Sequence, residues 1–465
     1  MKHSLRLRQG LGAQGRGTDM TQGNITRHIL SFALPLLIGN LFQQLYNMVD
    51  TWVVGNYVSN EAFSAVGTVG PITNMLIGFF TGLASGAGVV ISQYYGAGRK
   101  QEVRNTVHTS IAMTLILSVV FTAVGIFMVP FVLDMINMPN EVIPEATTYL
   151  TIYFAGISGL MVYNMGAGIL RAVGDSKRPF YFLVICALLN TVLDLVFVLV
   201  FHMGVAGVAW ATILSQFVSA ILVVLTLYHS DECIQVRLRE LKLHMQILKK
   251  IIFVGIPAAL QMALTAFSNV FVQSYINHFG ADCMSGWTAY NKVDALLLMP
   301  MQSISLAATT FVGQNLGKKQ VERAKKGVSS ALLSSVLITL ILMVPVVLFA
   351  PGIVAFFNNK GEVIEFGTLF LRWLSPFYVL CCVNQVYACA LRGAGNSKAA
   401  MIIMLSSFVA FRQVYLFIMS RVCNEIIPIA MSYPAGWLVC SVLCAIYYHH
   451  VRLDKTRLVE DAPSE

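Results

Sequence analysis

Two octapeptides, LRAVGDSK at 170–177 and LRGAGNSK at 391–398, differ at three positions, and their numbering is offset by 221. A second pair of blocks keeps that offset, since ISQYYGAGRKQEVR, which opens at 91, is similar to VGQNLGKKQVER, which opens at 312. Pro35 and Pro257 are offset by one more, and Asn47 and Asn269 follow them at equal spacing. A near-constant displacement at separated places marks a duplicated unit. The chain reads as two copies of one fold.

Each block lies in a short charged segment between long apolar runs. The composition is 57% hydrophobic and 11% charged, with a mean hydropathy of +0.71. Soluble domains carry about 25% charged residues, so lipid is the main solvent of this chain. A bilayer core of about 30 Å needs about 20 apolar residues per helix. That measure gives six spans near 27–56, 61–95, 104–130, 144–171, 178–202 and 204–228. The segment SDECIQVRLRELKLHMQILKK follows, and six more spans lie near 250–278, 282–314, 325–350, 362–391, 398–421 and 425–449. The expected fold is an all-α membrane protein of twelve transmembrane helices in two six-helix bundles. An even number of spans per copy makes both halves cross in the same direction, so their pseudo-two-fold axis lies along the membrane normal. The expected organisation is a disordered tail over 1–24, an N-lobe over 25–228, a linker over 229–248, a C-lobe over 249–450 and a tail over 451–465.

The basic residues fix the expected orientation. With the N-terminus cytoplasmic, all of the 31 lysines and arginines except Lys292, Lys360, Arg372, Arg412 and Arg421 fall in inner segments or tails. One missed helix would invert half of this pattern. Both termini are therefore expected on the cytoplasmic side of the inner membrane. Residues 1–19 are basic and glycine-rich without an apolar stretch, which excludes a signal peptide. They are either a disordered extension or a stretch upstream of a start at Met20.

The net charge of +9 is spread over these segments rather than gathered on a soluble face, so nucleic acid is not an expected partner. Nine cysteines form no CxxC pair, and most fall inside apolar runs, where cysteine acts as a small hydrophobe. The nine histidines sit in tails, the linker or near span ends. No HExxH, no phosphate-binding loop and no mid-membrane histidine pair is present, which argues against an enzyme and against any resident cofactor. Without a nucleotide-binding domain, uphill transport would run on an ion gradient or on a partner.

Ionisable groups deep in a bilayer cost about 2.5–3.5 kcal/mol each on insertion scales, so each calls for a reason. Asp50 and Asp194 stand out in the first half. At a helical rise of about 1.5 Å per residue, the first and fifth spans carry them to similar depth in the outer half of the bilayer. Asn190 lies one helical turn before Asp194, and Thr212 reaches the same level on the sixth span. Two carboxylates, an amide and a hydroxyl make an all-oxygen site for a proton or a hard cation such as Na⁺. The competing explanation is that these are packing residues satisfied by hydrogen bonds.

In the second half, Lys292, Asp294, Glu365, Arg372 and Arg412 lie within apolar runs. Lys292 and Asp294 point to different faces of one helix, so the expected pairs are Asp294 with Arg412, or Lys292 with an acid across the cavity. Structural pairing and substrate contact both remain open for Lys292, Asp294 and Arg412. Pro35 interrupts the first span, either as a fixed kink or as a hinge.

The stretch PLLIGNLFQQLYNMVDTWVVG (35–55) resembles the first helix of the multidrug and toxic compound extrusion (MATE) transporters. LRAVGDSKRP (170–179) and LNTVLDLVFV (189–198) resemble the helix 4–5 region of that family, nearest its DNA-damage-inducible F-type branch. The likeness runs from about Met20 to residue 450. It implies a V-shaped pair of lobes exporting cationic or amphipathic compounds in exchange for protons or sodium. It places the cation site on Asp50, Asn190, Asp194 and Thr212, and the helix 1 bend on Pro35. Gln43 and Tyr149 match further N-lobe positions, and Asn47 and Asn164 complete the candidate N-lobe cavity. One departure is visible: relatives carry two asparagines three apart in helix 4, whereas Asn164 is followed by Ala167.

The expected protein is thus a monomeric antiporter with small amphipathic substrates, the bilayer as its surroundings and H⁺ or Na⁺ as coupling ion. The rival is a lipid-linked oligosaccharide flippase of the same superfamily, whose cavity would use Lys292, Arg372 and Arg412 to hold phosphate.

Overall fold

The computed structural model describes residues 17–136 and 138–460. Among the described residues, eleven helices are long and apolar enough to cross a membrane, and a bent pair makes twelve. They are α1 (Ile25–Tyr57), α2 (Asn60–Gly96), α3 (Lys100–Met135), α4 (Ile143–Ala155 with Ile157–Ala172), α5 (Lys177–Val200) and α6 (Gly204–Tyr228). The second half holds α7 (Met245–Asn277), α8 (Ala281–Gly317), α9 (Val321–Leu348), α10 (Gly361–Gly393), α11 (Ser397–Val422) and α12 (Ile426–His450).

The duplication is written into the backbone. Gly98 (φ 74°) and Lys319 (φ 63°), equivalent positions of the repeat, make the left-handed turns that follow α2 and α8. Gly174 (φ 87°) and Gly395 (φ 93°) do the same after α4 and α10. Glycine adopts this region freely, whereas Lys319 holds it against a steric penalty of its Cβ. α3 and α9 are a matching outer pair: Val119, Phe127, Leu333 and Ile341 are all exposed. A belt of exposed large apolar side chains on both is what lipid as solvent requires.

Across the two halves, α2 runs along α7, and α8 along α1 and α2. Small residues set the approach. A Cβ added to Gly86 would overlap the Gly255 Cα, and one on Gly82 would lie 2.5 Å from the Ala259 Cα. At Gly78 the nearest atom across the interface is 3.5 Å away, and at Gly70 and Gly67 nothing lies within 4 Å. α2 and α7 therefore touch at one end of the molecule and diverge toward the other. The touching end is the one that carries the linker and both chain ends. The opening faces away from it.

Several expectations need correcting. The fourth span is broken: its two parts meet at 47° at Gly156, where an added Cβ would overlap the Ile213 side chain. A short helix, Ala350–Phe357, occupies what was read as the end of the ninth span and the loop after it. The disordered tail expected over 1–24 lies outside the described residues up to 16, and within the described part Met20 and Thr21 are buried. Met20 is 1% exposed, and its amide donates to Gln314 Oε1 at 2.9 Å. α1 runs as one continuous helix through Pro35, which removes one ladder hydrogen bond without breaking it.

Candidate functional site

α1 and α5 carry the two acids into the interior of the first bundle. The Asp50 and Asp194 carboxyls face each other closely enough to interact directly. Asp194 and Asn190 are 0% and 1% exposed. Apart from the contact of the two carboxyls with each other, one oxygen of Asp50, both of Asp194 and both amide atoms of Asn190 are buried without a hydrogen-bond partner. Buried polar atoms are nearly always paired, so this much orphaned oxygen in one place marks a site built for something other than packing. Asp194 lies just before the π-helical turn Val196–Val200, a local distortion that frequently accompanies functional sites. The donor set, two carboxyls and an amide oxygen, is one that a proton or a hard cation such as Na⁺ would fit.

The neighbours are aromatic. Tyr149 lies within electrostatic reach of both carboxyls, and Tyr46 within reach of Asp50 and Cys186. Tyr149 stacks on Tyr153, with ring centroids 6.2 Å apart. Thr212 is buried, but its hydroxyl donates to the Val208 carbonyl at 3.0 Å, so only its lone pairs are left for an ion.

The other expected positions are dispersed. Pro35, Gln43 and Asn164 line a cavity of about 580 Å³ between the two halves. Asn164 accepts from Thr81 Oγ1 at 3.4 Å and donates to the Leu160 carbonyl at 2.9 Å. Asn47 is exposed and lines neither this cavity nor the one within the second bundle. Its repeat partner Asn269 lines both.

The second bundle holds its own cavity of about 420 Å³, with Asp294, Arg412, Trp287, Tyr433 and Trp437 in its wall. The expected Asp294–Arg412 ion pair does not form. Asp294 Oδ1 instead accepts from Tyr378 at 2.5 Å and Tyr290 at 3.3 Å. Arg412 donates to Ser268 Oγ and Asn269 Oδ1, each at 2.8 Å, and lies over the Tyr433 ring at 4.8 Å. Tyrosine hydroxyls take up Asp294, whereas Arg412 bonds through one nitrogen to a hydroxyl and an amide and keeps its Nε without a partner, and the cavity keeps an acid and a base on its wall. Lys292 and Arg372 are exposed and are not among the residues that line these two cavities.

Residues that intramembrane charge alone did not point to close the contact between the halves. Gln93 Nε2 donates to the Gly393 carbonyl at 3.0 Å, and Gln314 Nε2 donates to the Ala172 carbonyl at 3.0 Å. The two donors occupy equivalent positions of the repeat, and so do the two acceptors, so one bond is the repeat image of the other. Each glutamine oxygen also receives an amide from a chain end: Leu458 to Gln93 at 2.8 Å and Met20 to Gln314 at 2.9 Å. Next to Met20, Asp19 accepts from the Thr21 amide at 2.8 Å and hydroxyl at 2.5 Å. Burial opposes its ionisation, but the two Thr21 bonds and Lys318 outweigh it and hold the carboxyl below the usual range.

A sequence profile described as MatE matches residues 35–196 and 257–418. The two matches open on Pro35 and Pro257, the prolines paired by the repeat. The chain belongs to the MatE family. It is a multi-pass membrane transporter and not an enzyme. Among curated relatives, the probable multidrug resistance protein YpnP of Bacillus subtilis is 28% identical over 95% of this chain and 98% of its own length. The FAD transporter of Shewanella oneidensis is 22% identical over 83% of this chain and 86% of its own. A multidrug resistance MATE family transporter of the MOP superfamily, solved in an outward-facing conformation, superposes with a TM-score of 0.88 at 24% identity, covering 95% and 98% of the two chains. Twelve helices in two bundles are thus this MatE protein's fold, and multidrug efflux is the function its family supports.

Proposed function

We propose that this MatE protein is a secondary antiporter of the inner membrane, with both termini cytoplasmic, that exports cationic or amphipathic organic compounds in exchange for H⁺ or Na⁺. The observation that carries the reading is the pair of facing acids with orphaned oxygens beside Asn190. Asp50, Asp194 and Asn190 take the ion, with Thr212 as a further oxygen, and Gln43, Asn164 and Pro35 border the substrate's path. Loading the site neutralises the acids and changes what α1 can pack against. Pro35, which lacks one ladder bond, is where α1 can bend in response.

Exchange requires the ion and the substrate to disfavour each other's binding, a coupling shared reciprocally by both sites. One charge moved through 100 mV supplies about 2.3 kcal/mol, enough for a gradient of roughly fifty-fold. The relatives' names span multidrug resistance and FAD transport, which supports broad amphipathic cargo. Efflux of a fluorescent substrate from proteoliposomes, with pH and sodium gradients imposed separately, tests the proposal. Asp50→Asn should abolish gradient-driven efflux while leaving downhill leak. Export against a gradient by Asp50→Asn would refute it.

A further inference from the structure

The cavity between the halves has a polarity opposite to the acid pair. Among the described residues, no carboxylate lines it, and its two charged groups are Arg171 and Arg392. These are the arginines of the two repeated octapeptides, so the pseudo-two-fold relates them to each other. Each occupies the last turn of a helix, α4 and α10, at the closed end of the cavity. Their chain neighbours Ala172 and Gly393 are the carbonyls held by Gln314 and Gln93.

Among the described residues, neither arginine forms an ion pair. Arg392 is 5% exposed and keeps its Nε without a partner. It donates to Gln261 Oε1 at 2.8 Å and, more weakly, to Cys389 Sγ at 4.0 Å. Helix C-termini favour cations, which helps explain why arginine is tolerated there. The dipole leaves guanidinium donors unspent, however. A buried guanidinium without a carboxylate is costly unless an anion completes it.

We infer that Arg171 and Arg392 form a paired anion clamp on the cavity floor, which holds the carboxylate or phosphate of an amphipathic substrate. Planar guanidiniums suit both groups, because each offers a fork of donors to two oxygens. A cavity of about 580 Å³ takes a drug-sized molecule. The inference rests on the transporter reading in taking this cavity as the substrate's path, but it narrows the cargo from amphipathic compounds in general to those with an anionic end.

Two xanthene dyes of similar size test it. Fluorescein, an anion, and rhodamine 6G, a cation, are titrated by fluorescence anisotropy against the full chain in nanodiscs without any gradient. Arg171→Gln and Arg392→Gln should each weaken fluorescein by about tenfold, as for loss of a bond to a charged group. Rhodamine 6G should hold its affinity, which also shows that the variants fold. Should a Gln variant lose both dyes, Arg171→Lys with Arg392→Lys decides: fluorescein binding kept by the lysines supports the clamp, and its loss overturns it.

Nanodiscs containing phosphatidylglycerol separate the sources of the anion. Competition with fluorescein identifies a lipid phosphate, and its absence a soluble substrate; both support the clamp. An unchanged fluorescein affinity in the double Gln variant overturns it, as does a wild type that binds rhodamine 6G alone. Because no gradient is present, a protein that failed the Asp50 efflux test would still give a clear answer here.

Discussion

Substituting Gln314 by alanine should open the closed end of this transporter. Its side chain is buried and holds two partners: it donates to the Ala172 carbonyl and accepts from the Met20 amide. Each such bond contributes about 0.5–1.5 kcal/mol net, so the closed arrangement loses about 1–3 kcal/mol. At about 1.4 kcal/mol per tenfold, that shifts the population with this end open by about 5–150-fold. The estimate is a lower one, because Ala172 and Met20 are left buried without partners. The assay is electron–electron distance measurement between spin labels at Gln101 on α3 and Lys326 on α9, both exposed at the closed end. Labels carried on unnatural amino acids avoid the native cysteines, which are free among the described residues. Gln314→Ala should populate longer distances, and Gln93→Ala should do the same through its own partners. Unchanged distance distributions in a variant with wild-type thermal stability would refute the latch and reduce both glutamines to packing.

The other predictions concern packing and pH. Gly86→Ala puts a Cβ against the Gly255 backbone, so α2 and α7 must separate; overpacking of this kind costs about 1–3 kcal/mol. It should lengthen the same label distances and slow efflux, and wild-type efflux would show that the crossing is soft. The N-terminal latch should depend on pH with a fixed sign. Asp19 is held below its unfolded value, so its stabilisation is present above about pH 4 and fades as pH falls through the folded value. A spin label at Gln22 should gain mobility below about pH 4, and loss of that response in Asp19→Asn would assign it to this carboxyl.

How much was legible in the sequence depended on what each feature is made of. Span number and duplication were legible because lipid forces about 20 apolar residues per crossing, and because turn residues recur where the backbone must turn left-handed. The acid pair was legible because carboxylates in oil are rare enough to single out. The bend at Gly156 was not, since it answers to Ile213 on another helix. Arg412 and Asp294 were misread as partners because charge alone suggests pairing, whereas tyrosine hydroxyls on α8 and α10 reached Asp294 first. Arg171, Arg392, Gln93 and Gln314 all stood in the repeated blocks. They drew no substrate reading because the blocks served to establish the repeat, the orientation and the family resemblance.

The repeat also shows which parts of the mechanism the two halves share. At the displacement that joins Pro35 to Pro257 and the ends of the family matches, Asp50 falls opposite Val272, and Asp194 opposite Leu416. Asn190 falls opposite Arg412, and burial agrees, since all of Asn190, Arg412, Asp194 and Leu416 are buried. The second half has therefore replaced both acids by aliphatic groups and the amide by a cation. The glutamine latches and the floor arginines, by contrast, are kept in both halves. A symmetric latch lets the two bundles close against each other as equals, while an acid pair in only one half means that, under the proposed antiport, ion binding would alter one bundle and leave the other as the surface it moves against. That asymmetry would give a coupled ion a direction in which to push.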